Sequence, residues 1–460
     1  MSRTKFVLAV LAMFSVSLAG VLHADFRASD PGVRGGAPGA GDPFTTLSST
    51  QLQFFQDAKA TFQEVDTLAA GLGPRFNLDS CAGCHAQPAT GGSSPALNPQ
   101  VAVATAFGAN NIVPFFVRPD GPVREARFKF NPDGTTDGGV HDLFVISGRN
   151  DTTADASGCH ITQPDFLTAA RNNNLIFRIP TPTFGAGLVE MIPDSVIIAN
   201  QAAEGSRKSA LGIHGRPHRF RISGTTNNNG NDGTISRFGW KAQNKSVLLF
   251  AGEAYNVEQG ITNEIFQTER DETPSCQFAT VPNDTTKTDV FPGTGVDTLN
   301  DLDKFALFMR FLAPPTPSPT TPGGAASIAN GRALFGYIGC GLCHTPKLTT
   351  GNATVAALRN QDVNLFSDIL LHNMGPGLAD DIPQGQAAGD EFRTAPLWGL
   401  GQRIFFLHDG RTNDLIQAIE AHKSPASTKY QASEANAVVD NFKNLREGQK
   451  QDLLNFLRSL

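Results

Sequence analysis

The sequence predicts a mainly α-helical chain built from two similar helical domains. The first domain carries a long loop-rich insertion with short β elements. Three observations predict this. The word Cys-x-x-Cys-His occurs twice, in "SCAGCH" at 80–85 and in "GCGLCH" at 339–344. Apolar residues recur at helical spacing before each copy. A proline-rich stretch, "PPTPSPTTPGG" at 314–324, lies between the two halves.

The N-terminus reads "MSRTKFVLAVLAMFSVSLAGVLHADF". Arg3 and Lys5 form a charged start, an apolar run follows from Phe6 to Leu22, and Ala24 stands where a signal peptidase would cut. Residues 1–24 are therefore expected to be a secretory signal peptide. The competing reading is a membrane anchor, but the run falls short of the ~20 apolar residues a spanning helix prefers. The mature protein is expected to be periplasmic or otherwise exported, without stable membrane insertion.

Residues 25–313 form the expected first domain. Phe55, Ala58, Phe62 and Val65 recur as one helix face before the first Cys word. From about 100 to 300 the chain is rich in Asn, Thr and Gly, with the strand-like runs "ARFKF", "DLFVIS" and "SVLLFAG". The segment "LDKFALFMRFLA" reads as a helix before the proline-rich stretch. Residues 325–460 form the expected second domain. It opens with "IANGRALFGYIG", in which Ile328, Ala333, Leu334 and Tyr337 are the expected apolar face. It closes with a helical stripe of Phe442, Leu445, Leu453, Phe456, Leu457 and Leu460.

A chain of 460 residues has room for two or three domains with real cores. The formal charge is −6 and no basic stripe appears, which argues against nucleic acid as a partner. There are 33 Phe against 3 Tyr and 2 Trp, a bias toward apolar pockets rather than polar aromatic recognition.

Two thiols and an imidazole within five residues serve three common chemistries. A zinc ribbon pairs Cys-x-x-Cys knuckles at short separation, which these two are not. A thioredoxin-like motif needs a βαβ scaffold and no following His. The third chemistry is covalent attachment of haem c, in which both thiols add to the porphyrin vinyls and the next residue turns its imidazole to the iron. Two complete copies in an exported chain favour two c haems and two cytochrome c-like domains. Cys81 and Cys84 would hold the first, with His85 on its iron. Cys340 and Cys343 would hold the second, with His344. The remaining Cys159 and Cys276 either form a disulfide or stay as buried thiols, since sequence does not show whether they meet.

The two copies share a further frame. "FRIPTPTFGAGL" starts at Phe177 and "FRTAPLWGLG" at Phe392. Each begins Phe-Arg, reaches a Pro, and places an aromatic residue before Gly-x-Gly. This reads as two diverged haem domains.

Two such domains, the proline-rich join and "FRTAPLWGL…FFLHDGRTNDLIQAI" resemble the bacterial di-haem cytochrome c peroxidases and their MauG-like relatives. "GLGPRFNLDSCAGCH" and "RFGWKAQ" carry a closer resemblance to the di-haem oxidoreductase group, also called thiol oxidoreductases. That second label finds no support in the cysteines, because haem would consume both Cys-x-x-Cys pairs. The resemblance implies that the C-terminal haem stores electrons and the N-terminal haem reduces hydrogen peroxide. A small cytochrome or cupredoxin would be the donor. It also keeps two alternatives open: a MauG-like oxidase that modifies a partner protein, and an electron-transfer cytochrome without catalysis.

The sixth ligand of the second haem has candidates in Met374, His408 and His372, and an open position is a further option. The classical peroxidases place a Met within Tyr-Met-His-Asp-Gly; here the word is "FLHDG" and the Met position is Leu407. For the first haem His141, His160, His214, His218 and Met191 are downstream options, each read more simply as a surface or core residue. The segment "LFAGEAYNVEQGITNEIF" resembles the peroxidase stretch that carries an active-site Gln and Glu. On that comparison Gln259 and Glu264 are the catalytic candidates, with Glu253 and Glu258 competing and a solvated loop as the plain alternative. Trp240 is either a relay between haems or a packing residue. Arg237, Lys241 and Arg393 are candidate partners for haem propionates. Related enzymes hold calcium between domains, but the sequence shows no recognisable calcium loop.

Overall fold

The structure, a computed structural model, describes residues 26–219, 233–291 and 296–460. The segment read as a signal peptide lies outside them. The chain is helix-rich with a few small sheets.

Helix α1, Ser49–Gln63, starts at a capping box: Ser48 Oγ accepts from the Gln51 amide, and the Gln51 side chain accepts from the Ser48 amide. Its inward face is Phe55, Ala58 and Phe62. Val65, expected to extend that face, lies past the helix end and is exposed. Helix α2, Val247–Gln259, corrects a sequence expectation, since the run "SVLLFAG" is its first turns and not a strand. Ser246 caps it by accepting from Leu249 N, and Gly260 stops it in the left-handed conformation at φ 72°. A short apolar run alone fits either a strand or a buried helix. Helix α3, Asp301–Phe311, is capped by Asn300, and Asp301 and Asp303 in its first turn suit the positive end of the helix dipole. It packs along α1, with Phe62 against Phe308 and Phe305 at centroid distances of 4.7 and 6.0 Å. This aromatic seam belongs to the largest core of the molecule.

The run "ARFKF" overlaps β1, Glu125–Phe128, which is the middle strand of a three-stranded antiparallel sheet with β2, Val140–His141, and β3, Leu175–Arg178. The register sets Glu125 opposite Arg178. "DLFVIS" supplies Phe144–Val145, paired with Arg75–Phe76. Cys159 and Cys276 are joined by a disulfide that closes 117 residues of sequence.

The second half begins with α4, Gly324–Ile338, whose inward residues are Gly331, Phe335 and Ile338. Ala333 and Tyr337, expected inside, are exposed, Tyr337 by 79%. A strand pair, β4 Leu371–Asn373 and β5 Glu391–Arg393, sets Leu371 opposite Arg393. Helices α5, Leu415–Glu420, α6, Asn436–Lys443, and α7, Glu447–Ser459, complete this half. The C-terminal apolar stripe is divided between α6 and α7, with Phe442, Leu453, Phe456, Leu457 and Leu460 buried. Helix α7 crosses α4 at Gly331, where a Cβ would lie 2.0 Å from the Asp452 carbonyl oxygen.

The proline-rich stretch lies against its neighbours: Thr316 N donates to Gly39 O and Ser318 N to Ser459 O. The start of the described chain also docks on the second half. Arg458 donates from Nε and Nη2 to the two carboxylate oxygens of Asp30, at 2.7 and 2.6 Å, and Ala28 N donates to Glu447. No helix among the described residues is long and apolar enough to cross a membrane.

Candidate functional site

Two partly open cavities lie between the packed elements, with about 1140 and 1450 Å³ of empty space counted out to the solvent. Each has one Cys-x-x-Cys-His word on its wall. Cys81, Cys84 and His85 line the first; Cys340, Cys343 and His344 line the second. The four cysteines of these words are unpaired, whereas Cys159 and Cys276 are joined. His85 Nδ1 lies 2.9 Å from Gly92 O, and His344 Nδ1 lies 3.0 Å from Phe366 O. A ring whose Nδ1–H donates to a backbone carbonyl keeps Nε2 as a free lone pair, the arrangement of a metal-ligating histidine. Burial keeps both rings neutral: it lowers His85, and with the nearby His422 it takes His344 to about 4.

The repeated Phe-Arg word now has a structural meaning. Arg178, at the end of β3, lines the first cavity, and Arg393, at the end of β5, lines the second. Arg178 is matched: its guanidinium donates to Asp380. Arg393 and Arg403 are not matched in that way. Arg393 donates only to the carbonyls of Gly239 and Thr394. Arg403 Nη2 is buried with no hydrogen-bond partner. Burial lowers both to about 10; for Arg393 it outweighs the opposing pull of the Asp368 carboxylate, and Arg403 has no such carboxylate. Both line the second cavity and also a smaller one of about 640 Å³ next to it. A buried guanidinium without a counter-charge, as at Arg403, fits a ligand that brings carboxylates, as haem propionates do. Arg237 and Lys241 do not fit that role. Arg237 is committed to Asp194 and four carbonyls, and Lys241 to Asp380 and two carbonyls.

The walls of the first cavity carry several polar side chains, Gln100 and Glu253 among them. Glu125 and Glu258, from β1 and α2, are hydrogen-bonded to each other and face it. Burial and the neighbouring Glu125 charge push Glu258 well above the usual carboxylate range. Burial also acts on Glu125, but Arg127, Glu258 and Arg178 outweigh it and hold Glu125 low. The environment thus favours one shared proton on the pair, with Glu258 pushed toward the protonated form and Glu125 toward the charged one. Gln259 also lines this cavity; its Oε1 lies 3.1 Å from Cys81 Sγ and its amide donates to Asp66. Glu264 does not join it. Its side chain is exposed and accepts from Thr286 N, on the turn beyond the end of α2.

The sixth-ligand candidates for the first haem all sit elsewhere. His141 stacks on Phe128 and bonds Asp137, His160 and His214 are exposed, His218 is held by backbone groups, and Met191 packs on the core. Met309 on α3, which the sequence reading passed over, does line this cavity.

Around the second cavity Met374, Leu407, His408, His372 and His422 all contribute to the wall. His372 has both ring nitrogens occupied, by Asp368 at 2.9 Å and Glu434 at 2.8 Å. The His408 ring stacks on Phe392 at 4.4 Å and meets Trp240 edge-on at 6.4 Å. Met374 packs in the cluster of Ile179, Trp240, Phe392 and Phe405. His422, just past α5, lies with Nδ1 2.7 Å from Ala418 O; the sequence reading did not single it out. Trp240 lines both large cavities and the small one, and its Nε1 donates to Ile179 O. Among the described residues no cluster of three or more His, Cys, Asp or Glu is set to hold a metal ion by itself.

No curated protein matches the chain. Among solved structures it is similar to a MauG-like protein associated with microbial copper homeostasis, at 18% identity and a TM-score of 0.24 over 35% of this chain and 56% of that one. It is also similar to a hydrazine synthase from Kuenenia stuttgartiensis, at 13% identity and a TM-score of 0.34 over 100% of both chains. A third likeness is to the diheme peroxidase BthA from Burkholderia thailandensis, at 13% identity and a TM-score of 0.28 over 61% of this chain and 86% of that one. The chain thus spans little more than half of the first of these, and the overlaps are too loose to bear on the argument. The family comparison is firmer: residues 129–460 match the family described as "Di-haem oxidoreductase, putative peroxidase", and the chain belongs to it.

Proposed function

We propose that the chain is an exported di-haem oxidoreductase that reduces hydrogen peroxide in the first cavity with electrons held in the second. The carrying observation is the pairing of two cavities with two Cys-x-x-Cys-His words, each with its histidine fixed through Nδ1. Cys81, Cys84 and His85 would hold one haem, and Cys340, Cys343 and His344 the other, within domains 25–313 and 325–460. When bound, haem iron supplies a coordination position and one-electron redox chemistry.

The chain's own residues do the rest. Each hydrogen peroxide takes up two electrons and two protons and leaves as two waters. A reduced small cytochrome or cupredoxin supplies the electrons one at a time. Glu258 holds a proton at the cavity wall and can pass it on, since Glu125 accepts the hydrogen bond and Arg127 and Arg178 stabilise the charge that remains. Gln259 orients the Cys81 side of the wall. Arg393 and Arg403 compensate propionates. Trp240 bridges the cavities. The Cys159–Cys276 disulfide supports an oxidising, exported location.

The test is stopped-flow mixing of the half-reduced protein with hydrogen peroxide. Rapid loss of the remaining ferrous band, with peroxide consumed and the spectrum restored by fresh donor, is the expected result. A lasting oxidised spectrum without turnover would instead indicate an oxidase acting on a partner protein. No change would leave an electron carrier.

A further inference from the structure

We propose that His422 is, with His344, the second protein ligand to the iron held in the second cavity. The inference rests on the reading that this cavity holds haem.

Three histidines of the described chain both line one of the two cavities and have Nδ1 within hydrogen-bond distance of a backbone carbonyl: His85, His344 and His422. Two of them belong to the Cys words. The third has the same geometry without the word. Its acceptor, Ala418 O, belongs to the last turn of α5, where carbonyls have no partner within the helix. The His422 ring is thereby oriented by its own helix, and Nε2 stays free as a donor atom. Burial favours the neutral form that ligation needs.

The competitors are each committed otherwise. His372 is gripped by carboxylates at both nitrogens. Leu407 stands where the classical word has Met, and its side chain offers no lone pair. His408 is face-packed on Phe392 and no carbonyl fixes its ring. Met374 sits in the apolar cluster around Trp240. A second imidazole in place of a thioether removes the ligand that raises haem potential, so the second haem would be a weaker oxidant than a His/Met site.

The experiment uses the purified, haem-loaded protein. Intact mass first counts the covalently bound haems; a chain without them would overturn the underlying reading rather than the ligand assignment. Near-infrared magnetic circular dichroism and electron paramagnetic resonance of the ferric protein then separate bis-imidazole from imidazole–thioether ligation. The expected result is one bis-imidazole low-spin haem. His422→Ala should convert it to high spin, and added imidazole should restore the low-spin signal. His422→Met, which retains a ligand if the Ala variant fails to mature, should shift the near-infrared band to the thioether position. An imidazole–thioether signature in the wild type, or a low-spin signal unchanged in His422→Ala and lost in Met374→Leu or His408→Ala, would overturn the proposal.

Discussion

The Arg178 guanidinium, on the wall of the first cavity, donates twice to Asp380 Oδ2, from Nη2 at 2.6 Å and from Nε at 3.1 Å. The other oxygen of Asp380 lies 3.1 Å from Lys241 Nζ, and neither Lys241 nor Asp380 has an exposed side chain. One buried carboxylate thus balances two cations, and Lys241 lies over the Phe392 ring on which His408 stacks. The wall of one cavity is tied to the wall of the other through a single acid.

Asp380→Asn is therefore expected to cost about 3–5 kcal/mol, the range for removing one member of a buried ion pair. Urea unfolding of the haem-loaded protein measures it. Burial alone would raise the Asp380 pKa, but Arg178 and Lys241 lower it below the usual 3.8. A lowered folded value means that its stabilisation is complete above pH 3.8 and is lost as pH falls through the folded value. Burial also takes the Lys241 ammonium to about 8, and loss of Asp380 lowers it further, so the gap between wild type and Asp380→Asn should be widest near pH 5, narrow toward pH 8 and close in strong acid. A gap that widens from pH 5 to 8 would contradict this.

Glu258→Gln keeps a neutral hydrogen-bond donor toward Glu125 but cannot release a proton. Peroxide turnover should fall by about 10²–10⁴-fold, the usual worth of a positioned acid–base group. Glu264→Gln should leave turnover unchanged, since that side chain is exposed and away from the cavity. Steady-state assays with a reduced donor compare the two; equal losses would remove Glu258 from the role.

Arg403→Gln removes a buried positive charge beside Trp240, whose ring lies 5.8 Å from the guanidinium carbon. Loss of that charge favours the oxidised, more positive haem. A tenfold shift in the one-electron equilibrium corresponds to a midpoint about 59 mV lower, and this is the expected size. Arg403→Lys should recover most of it. Spectroelectrochemical titration that finds both midpoints unmoved in Arg403→Gln would mean that the guanidinium has another counter-charge.

Gly331→Ala brings a Cβ to 2.0 Å from Asp452 O at the α4–α7 crossing. Overpacking of this kind costs about 1–3 kcal/mol. Gly336→Ala, on the same helix with open space around it, should stabilise by up to about 1 kcal/mol. Thermal melts of both variants should move in opposite directions.

What the sequence displayed was the chemistry that is local in the chain. The Cys words and the helix at 301–311 depend on residues a few positions apart. What it concealed depends on assembly. The "SVLLFAG" run looks like a strand until its cap at Ser246 and its stop at Gly260 are considered together. Gln259 and Glu264 are five residues apart, yet the left-handed Gly260 turns one into the cavity and the other to solvent. Arg403 gives no signal in sequence because its meaning is the absence of a carboxylate beside its guanidinium. His422 did leave a trace: a histidine four residues after Ala418 at the end of an apolar helix.

The Asp30–Arg458 clamp has a consequence for dissecting the molecule. A cut within the proline-rich stretch would not release an independent C-terminal half, because the opening strap from Phe26 to Asp42 would remain bolted to the last helix. Expressing residues 325–460 alone would strand a fully buried guanidinium. Any autonomous version of that half has to carry its strap with it, so a faithful excision is a two-piece graft, not a truncation.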